Sequence, residues 1–383
     1  MGGRPSPPFS TGDSMKQHVL VVGAGIIGAC IALELSRQNK RVTLLEAGAP
    51  GSGITRWCPG GVRQQWGSDL NIVLVRDSLP FFNSVEQLDA GLHFERCGYV
   101  FLGYSEAGER SARQLAERQQ RLGVNAQVIG EDALQRLCPD IVTRGLRAAS
   151  YGPDDGFIND PVRLTQAVVQ AAQESGALLA HGRATALRTD DGRITGVQTE
   201  GGPLTADVTV LAAGHGAGEL ASSAGLNLPL HAEERRLHYL DRAPAQYCTP
   251  FLVSPDHQWA GKQLGHAFYM SALGTLPESD DVFKAQTFER GAHVLADLEQ
   301  LRSTHIVRGY YSSTPDFQAI VDAPITHPGL VLSVGFNGNG FMMAPANARL
   351  VASLVTGDTP AYDHADYQLG RFKQQVHMET AVI

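Results

Sequence analysis

The sequence His18-Val-Leu-Val-Val-Gly-Ala-Gly-Ile-Ile-Gly28 joins a short apolar run to a G-x-G-x-x-G turn. The run from Val19 to Val22 is apolar throughout and rich in β-branched residues, which predicts a parallel strand buried on both faces. The spaced apolar residues that follow predict a helix, and residues 41–45 predict a second strand ending at Glu46. This order indicates the opening βαβ unit of a dinucleotide-binding sheet.

Each landmark of this unit has its own chemical role. Gly23 allows the tight turn, Gly25 lets the backbone approach a pyrophosphate, and Gly28 lets the helix pack closely on the strand. Glu46 follows Gly23 at about the 20-residue spacing of the acid that binds ribose hydroxyls. Its negative charge argues against a 2′-phosphate. The alternative is a glycine-rich turn in another α/β fold.

Composition narrows the class of protein. The 383 residues allow two domains, and the formal charge of −8 and the lack of a basic patch argue against nucleic-acid binding. The five cysteines are scattered and form no C-x-x-C pair, so we expect neither a metal site nor a disulfide framework. This cysteine usage favours a reducing compartment, and we expect a cytoplasmic location.

The start of the chain and its middle differ from this first unit in amino-acid composition and in hydrophobic pattern. Residues 1–14 are rich in Pro, Gly and Ser, which predicts a disordered leader before Met15. The uncharged run 19–33 is shorter than the roughly 20 residues of a membrane-spanning helix. From about Leu226 to Thr304, aromatic and charged residues alternate, which predicts an antiparallel sheet.

The last third repeats the pattern of a strand followed by a glycine loop and a helix. Residues 330–334 predict a strand, a glycine-rich run follows, and Ala346 to Val355 predicts a helix. An earlier strand, Val208 to Ala213, also ends in a glycine turn. Since nucleotide-type units lie at both ends of the chain, one domain must be discontinuous, with the middle inserted.

The landmarks together resemble the D-amino-acid oxidase superfamily of FAD-dependent oxidoreductases. The more similar branch contains monomeric sarcosine oxidase, glycine oxidase and the β subunits of heterotetrameric sarcosine oxidase and dye-linked L-proline dehydrogenase. The resemblance extends over nearly the whole chain and rests on the order of these motifs: Gly23-x-Gly25-x-x-Gly28, Glu46, Gly60-Gly-Val-Arg-Gln-Gln-Trp66, Asp155-Gly-Phe-Ile-Asn-Asp-Pro161, Ala212-Ala-Gly214, Ser313-Thr-Pro-Asp316 and Gly335-Phe-Asn-Gly-Asn-Gly-Phe341.

The resemblance implies an α/β fold: a discontinuous, Rossmann-like FAD-binding domain with an inserted α+β substrate domain on an antiparallel sheet. We expect the FAD-binding domain in residues 15–90, 150–225 and 320–383, and the substrate domain in 91–149 and 226–319. The residues that it assigns to the cofactor are Gly23, Gly25, Ile26, Ile27, Gly28, Glu46, Ala47, Gly61, Ala184, Ala213, Gly214, Gly338, Asn339, Gly340, Phe341 and Met342.

The resemblance also assigns the substrate side. Arg63 falls on the arginine that pairs with the substrate carboxylate, although its loop alone also allows a simple surface charge. Tyr311 falls on a tyrosine of that pocket, and Lys262 is a candidate for the lysine beside the flavin. Two positions depart from sarcosine oxidase: Gly309 replaces the cysteine that bonds flavin, which implies non-covalent FAD, and Met342 replaces a second carboxylate-binding lysine.

The implied reaction is oxidation of the C–N bond of a small amino or imino acid of the proline, hydroxyproline or sarcosine type, by hydride transfer to flavin N5. Oxygen, a quinone or a partner subunit is the electron acceptor. One alternative is a β-type subunit of a multi-chain dehydrogenase that passes electrons to its partner. Another is a flavin-binding assembly factor without turnover, because fold does not fix function.

Overall fold

The computed structural model describes residues 16–245, 247–373 and 377–381, and the expected leader 1–14 lies outside them. Its strands are β1 His18–Val22, β2 Arg41–Glu46, β3 Gly61–Val62, β4 Phe94–Glu95, β5 Tyr99–Gly103, β6 Gln127–Ile129, β7 Ala148–Gly152, β8 Gly156–Ile158, β9 Leu178–His181, β10 Ala184–Asp190, β11 Arg193–Thr199, β12 Gly202–Thr205, β13 Val208–Leu211, β14 His231–Asp241, β15 Phe251–Ser254, β16 Trp259–Leu264, β17 Ala267–Ala272, β18 Arg302–Ser313, β19 Ile320–Asp322 and β20 Leu330–Val334. Its α-helices are α1 Ile26–Arg37, α2 Asp69–Phe82, α3 Glu106–Arg121, α4 Glu131–Leu137, α5 Pro161–Glu174, α6 Ala217–Ser222, α7 Asp280–Gly291 and α8 Gly340–Thr356.

A six-stranded sheet in the order β19-β20-β13-β1-β2-β9 forms the centre of the nucleotide-type half. All its neighbours are parallel except β19, which runs antiparallel to β20. Val19 and Val21 of β1 pack toward α1, α5 and α8, whereas Leu20 and Val22 pack toward α6 and β10–β12. Because both faces of β1 are covered, the strand is apolar at every position, as its sequence predicted.

The inserted half is built on an eight-stranded sheet in the order β18-β14-β17-β16-β15-β5-β7-β6. Its neighbours are antiparallel except β15 and β5, which run parallel. Helices α3 and α7 pack against this sheet. Strands from two separate stretches of the chain therefore share one sheet, and the α/β class with its antiparallel insert is confirmed.

Two local expectations differ from the structure. Helix α8 begins at Gly340 rather than Ala346, because Phe341, Met342 and Met343 are all buried and continue the apolar face of the helix. Residues 154–161, whose Asp, Asn, Gly and Pro content predicts a turn, contain the short strand β8, which pairs with β3 and β4.

Among the described residues, no helix is both long enough and apolar enough to cross a membrane.

Candidate active site

A cavity of about 700 Å³ runs along the carboxyl edge of the parallel sheet. Its lining includes the residues at or just after the ends of five neighbouring strands: Gly335 after β20, Ala212 after β13, Gly23 after β1, Glu46 on β2 and Gly182 after β9. Ligands of open α/β sheets bind at this edge, because the loops beyond the strands leave a crevice there.

The glycine turn after β1 combines close packing with one open position. Gly23 has a φ of +105°, and a Cβ at this residue would lie 2.5 Å from the carbonyl oxygen of Ala212. A Cβ at Gly28 would overlap the carbonyl oxygen of Gly23. At Gly25, by contrast, the nearest atom to a Cβ would be Thr55 Oγ1 at 3.4 Å. Gly25 therefore leaves space for a ligand rather than for the protein.

The N-terminus of α1 points into this space. Ile26 and Ile27 line the cavity, and Gly25 serves as the N-cap without a side chain that could satisfy the first N–H groups. The Ile26 N–H donates to Thr55 Oγ1 at 3.2 Å. The first turn carries no acidic residue, so the positive end of the helix dipole is available to a phosphate.

Glu46 is oriented by two backbone N–H groups. Its Oε2 accepts a hydrogen bond from Ala24 N at 2.7 Å, and its Oε1 accepts one from Gly48 N at 2.8 Å. The carboxylate therefore links the end of β2 to the turn after β1, at the place where the ribose of a bound dinucleotide lies in this type of fold.

The opposite end of the cavity is formed by the loop that leads into α8. Gly338 and Gly340 line the cavity with Phe341, and a Cβ at Gly338 would overlap the ring of Tyr311. Asn337 holds the loop, because its Oδ1 accepts a hydrogen bond from Thr314 N at 2.8 Å. A second helix N-terminus therefore reaches the cavity.

Most of the sequence-predicted cofactor residues line this cavity: Gly23, Gly25, Ile26, Ile27, Glu46, Ala47, Ala184, Ala213, Gly214, Gly338, Gly340 and Phe341. Four others lie just outside the lining. Gly28 packs under the turn, Gly61 packs against Tyr99 and Phe157, Asn339 is the N-cap of α8, and Met342 is buried in the core.

Arg63 is almost completely buried, with 1% of its surface exposed. Its Nη1 donates to the carbonyl oxygen of Gln65 and its Nη2 to that of Ala381 at 2.6 Å, while the guanidinium carbon lies 3.6 Å from the ring centre of Trp66. Burial lowers the pKa of Arg63 to about 10, so the side chain stays cationic at neutral pH. The interpretation as a surface loop charge is excluded by this burial.

The loop that carries Arg63 is held by a second buried charge. Asp155 Oδ1 accepts hydrogen bonds from Gln64 N at 2.9 Å and Gln64 Nε2 at 3.1 Å, and Oδ2 accepts one from Gln65 Nε2 at 3.3 Å. Burial raises the pKa of Asp155 to about 6, against the lowering effect of these donors. The local composition predicts a turn at Asp155 and the family resemblance includes this residue in a motif, but neither assigns it this role.

Tyr311 and Lys262 lie outside the cavity lining. Tyr311, on β18, packs against Gly338 and lies 5.1 Å from the guanidinium carbon of Arg235, measured to the ring centre. Lys262, on β16, is 2% exposed, and its Nζ donates to the carbonyl oxygen of Thr249 at 3.1 Å. Tyr311 is therefore next to the cavity, whereas Lys262 is held within the eight-stranded sheet.

Several lining residues were missed from the sequence. They include Thr55, Cys58, Arg183, His215 and Ser312. Arg183 follows β9, so placing β9 at the edge of the parallel sheet would have identified it. His215 belongs to the glycine turn after β13, which was recognised without its side chain. Nothing in the sequence singles out Thr55 or Ser312, which long-range folding brings to the cavity.

The cavity fits a dinucleotide. The open position at Gly25, the start of α1 without an N-cap side chain or an acidic residue, and the oriented Glu46 carboxylate suit the pyrophosphate and ribose of such a group. The fold and cavity therefore define a dinucleotide-binding domain.

The comparison with known proteins gives the family. Residues 18–354 match the family described as FAD dependent oxidoreductase (DAO), and the chain belongs to this family. It is an FAD-dependent oxidoreductase of the kind that includes amine and amino-acid oxidases, which confirms the resemblance inferred from the sequence motifs.

Individual relatives differ in length and in chemistry. The chain is 29% identical to 4-methylaminobutanoate oxidase (formaldehyde-forming) of Paenarthrobacter nicotinovorans, covering 94% of this chain but only 46% of that protein. It is 26% identical to glycine oxidase of Geobacillus kaustophilus, covering 95% and 99% of the two chains. The structure of L-proline dehydrogenase from P. horikoshii is similar with a TM-score of 0.87, 25% identity and coverage of 94% and 99%.

Proposed function

We propose that the protein oxidises the C–N bond of a small amino or imino acid of the proline, hydroxyproline or sarcosine type to an imine. Family membership supports the use of FAD, which when bound accepts a hydride at flavin N5. The similarity to proteins named glycine oxidase and L-proline dehydrogenase supports a substrate that carries a carboxylate.

The observation that carries this proposal is that the buried guanidinium of Arg63 has no carboxylate of the described residues in direct contact. Within the part of the chain that the structure describes, no carboxylate oxygen lies within 4.0 Å of its guanidinium, which bonds two carbonyl oxygens and lies near the rings of Trp66 and Phe101. The charges of Glu379 and Asp155 act on it from further away and only partly offset the lowering of its pKa by burial. A buried cation is costly without an anionic partner. A substrate carboxylate would supply that partner through two parallel N–H donors.

The residues of the chain would orient the substrate rather than react with it. Arg63 would hold the carboxylate so that the adjacent C–H bond faces the flavin, which fixes angle as well as distance. Tyr311 would border the same pocket, and its packing on Gly338 links it to the cavity. Burial raises the pKa of Tyr311, so its hydroxyl stays protonated and can donate a hydrogen bond.

We propose that the FAD is held without a covalent bond. A side chain at Gly309 would meet Trp57, since a Cβ there would lie 3.1 Å from Trp57 Cβ. Cys58 lines the cavity, but burial raises the pKa of its thiol to about 11, so little reactive thiolate exists at neutral pH. We also propose the domain division given above, with residues 91–149 and 226–319 forming the substrate domain.

A second candidate is a dehydrogenase subunit that passes its electrons to a partner protein. Trp57 and Tyr310 are 44% and 47% exposed, and Trp57 lies over Gly309, next to Tyr310 on β18. Exposed aromatic side chains are typical of protein interfaces. This surface lies one residue from Cys58 of the cavity lining, which favours electron transfer to a docked partner over a role without turnover.

An anaerobic screen tests the proposal. Each candidate amino or imino acid, in both stereoisomers, is mixed with the FAD-loaded protein, and loss of flavin absorbance is recorded. We expect bleaching by at least one secondary amino acid, and release of unmodified FAD when the protein is acid-precipitated. Absence of bleaching by every amino and imino acid in the screen would contradict the reaction. Reoxidation by air, compared with reoxidation by a quinone or dye, then distinguishes oxidase from dehydrogenase.

A further inference from the structure

Residues 377–381, which we call the strap, lie against the loop that carries Arg63. Glu379 is buried with 3% of its surface exposed, whereas the neighbouring Met378 is 52% exposed. The Glu379 N–H donates to the carbonyl oxygen of Asp316 at 3.0 Å. The strap is therefore held mainly through one buried acidic residue.

The Glu379 side chain binds the start of α2. Its Oε1 accepts a hydrogen bond from Gly67 N at 2.7 Å, and its Oε2 accepts bonds from Ser68 N at 3.1 Å and Asn71 Nδ2 at 2.7 Å. Ser68, the N-cap of α2, makes no side-chain capping bond of its own. Glu379 thus provides the negative charge that a helix N-terminus favours.

The C-terminal end of the strap accepts a hydrogen bond from Arg63. The carbonyl oxygen of Ala381 accepts a hydrogen bond from Arg63 Nη2 at 2.6 Å, and the carbonyl oxygen of Gln65 takes Nη1. A carboxylate that binds an arginine in the forked manner needs two N–H groups of the guanidinium at once. Every such pair includes Nη1 or Nη2, each of which already donates one of its two N–H groups to a carbonyl oxygen, so the carboxylate and Ala381 would crowd the same end of the guanidinium.

We propose that the strap and an anionic substrate compete for Arg63, with Glu379 as the anchor that holds the strap in place. This inference rests on the proposed function, because it assigns the carboxylate to Arg63. In the strapped state Ala381 covers the guanidinium. In the substrate-bound state the carboxylate replaces the Ala381 carbonyl, and the strap moves away from Arg63.

Replacement of the Ala381 carbonyl by a carboxylate strengthens the bonding of Arg63, and the strap can move away at low cost. A charged carboxylate is a stronger partner for a buried guanidinium than a neutral carbonyl oxygen is. Apart from Glu379, the described residues of the strap are exposed or half-buried, and a segment with so few buried contacts opens at low cost. The loop side is more firmly fixed, since Asp155 binds both Gln64 and Gln65.

The test uses the FAD-loaded protein and two probes that cannot be oxidised at a C–N bond next to a carboxylate. Cyclopentanecarboxylate carries the anion, and cyclopentanecarboxamide is its neutral counterpart. Dissociation constants are measured by titration for the parent, Glu379→Ala, Met378→Ala and Arg63→Ala. Hydrogen–deuterium exchange of the strap, residues 377–381, is followed in the parent with and without the carboxylate, which requires no variant to fold.

We expect Glu379→Ala to bind the carboxylate about tenfold more tightly, with unchanged carboxamide binding, and Met378→Ala to match the parent. Because the charge of Glu379 also acts on Arg63, tighter binding supports the competition only together with faster exchange in the strap of the parent. Bound carboxylate should accelerate exchange in the strap of the parent. Equal or weaker carboxylate binding by Glu379→Ala, or exchange that does not accelerate, overturns the competition. If Arg63→Ala binds the carboxylate as the parent does, the assignment of Arg63 in the proposed function fails instead.

Discussion

The carboxylate of Glu46 accepts a hydrogen bond from the backbone N–H of Ala24 at 2.7 Å. This contact joins the end of β2 to the glycine turn after β1, two segments that parallel pairing brings side by side. Gly48 N donates to the other carboxylate oxygen at 2.8 Å. Glu46 therefore joins two segments that line the cavity in addition to presenting a carboxylate there.

Replacing Glu46 with Gln should weaken FAD binding at least several-fold. The amide keeps one acceptor, but its NH₂ group faces a backbone N–H of Ala24 or Gly48, and neutral acceptors are weaker than charged ones by roughly 1 kcal/mol. Titration of the apoprotein with FAD measures the effect. An unaltered dissociation constant would show that Glu46 does not contact the ribose.

The glycines of the turn provide a matched pair of variants. Gly28→Ala should destabilise the protein with or without FAD, because its Cβ would overlap the Gly23 carbonyl, and such overpacking typically costs about 1–3 kcal/mol. Gly25→Ala should leave the melting temperature of the apoprotein nearly unchanged but lower FAD affinity about tenfold or more, since its methyl group enters the cavity. The reverse ranking of the two variants would contradict the assigned roles.

Local patterns predicted the fold well where chain order and spatial order agree. The run of apolar residues in β1 predicts a buried strand, and the Asp191-Gly192 pair predicts the hairpin turn between β10 and β11, where both residues have positive φ. Strand order was less accessible, because β13 pairs with β1 and β20 pairs with β13 although long stretches of chain separate them. The start of α8 was missed because Pro345 and the glycines masked a helix that burial stabilises.

The candidate site was predictable where a motif supplies backbone geometry and unpredictable where distant segments meet. The glycines and Glu46 form one local unit, so their spacing placed them together. The bond between Arg63 and Ala381 joins residues 318 positions apart, and no periodicity signals such a contact. The bonds between Asp155 and the Gln64–Gln65 pair have the same long-range origin.

Asp155 should make stability depend on pH. Burial raises its pKa to about 6 from a usual value of 3.8, so the folded protein holds this proton more tightly than the unfolded chain. Folding then takes up a proton between about pH 4 and 6, and the free energy of unfolding falls by up to about 3 kcal/mol as pH rises through that window.

Urea unfolding at pH 4 and pH 7 checks this. Asp155→Asn carries no titrating group at this position, so the change in its free energy of unfolding from pH 4 to pH 7 should be more positive than in the parent by up to about 3 kcal/mol. The variant of the half-buried neighbour, Asp154→Asn, is the control and should show the same difference as the parent. The same pH difference in the parent and Asp155→Asn would show that this carboxyl group does not titrate in the window.

Arg63 should be the residue whose loss most impairs substrate use. Truncating one partner of a buried charge pair typically costs about 2–5 kcal/mol, which is roughly 30-fold to several-thousand-fold in kcat/KM. Arg63→Lys should be impaired less than Arg63→Ala, because lysine keeps the charge but loses the forked geometry. Met342 increases the expected effect, since the position that carries a second cation in sarcosine oxidase is apolar here.

Steady-state kinetics with the best substrate from the anaerobic screen measures this loss. Arg302→Ala is the control: this arginine is 60% exposed and pairs with Asp241 on the surface, so its loss should leave kcat/KM unchanged. FAD content should stay normal in both variants, because the nucleotide lies along the sheet edge. If Arg63→Ala turns over the substrate as well as the parent does, Arg63 is a structural cation. The carboxylate partner must then be sought at Arg235, whose guanidinium lies over Tyr311, or at Arg56 or Arg236.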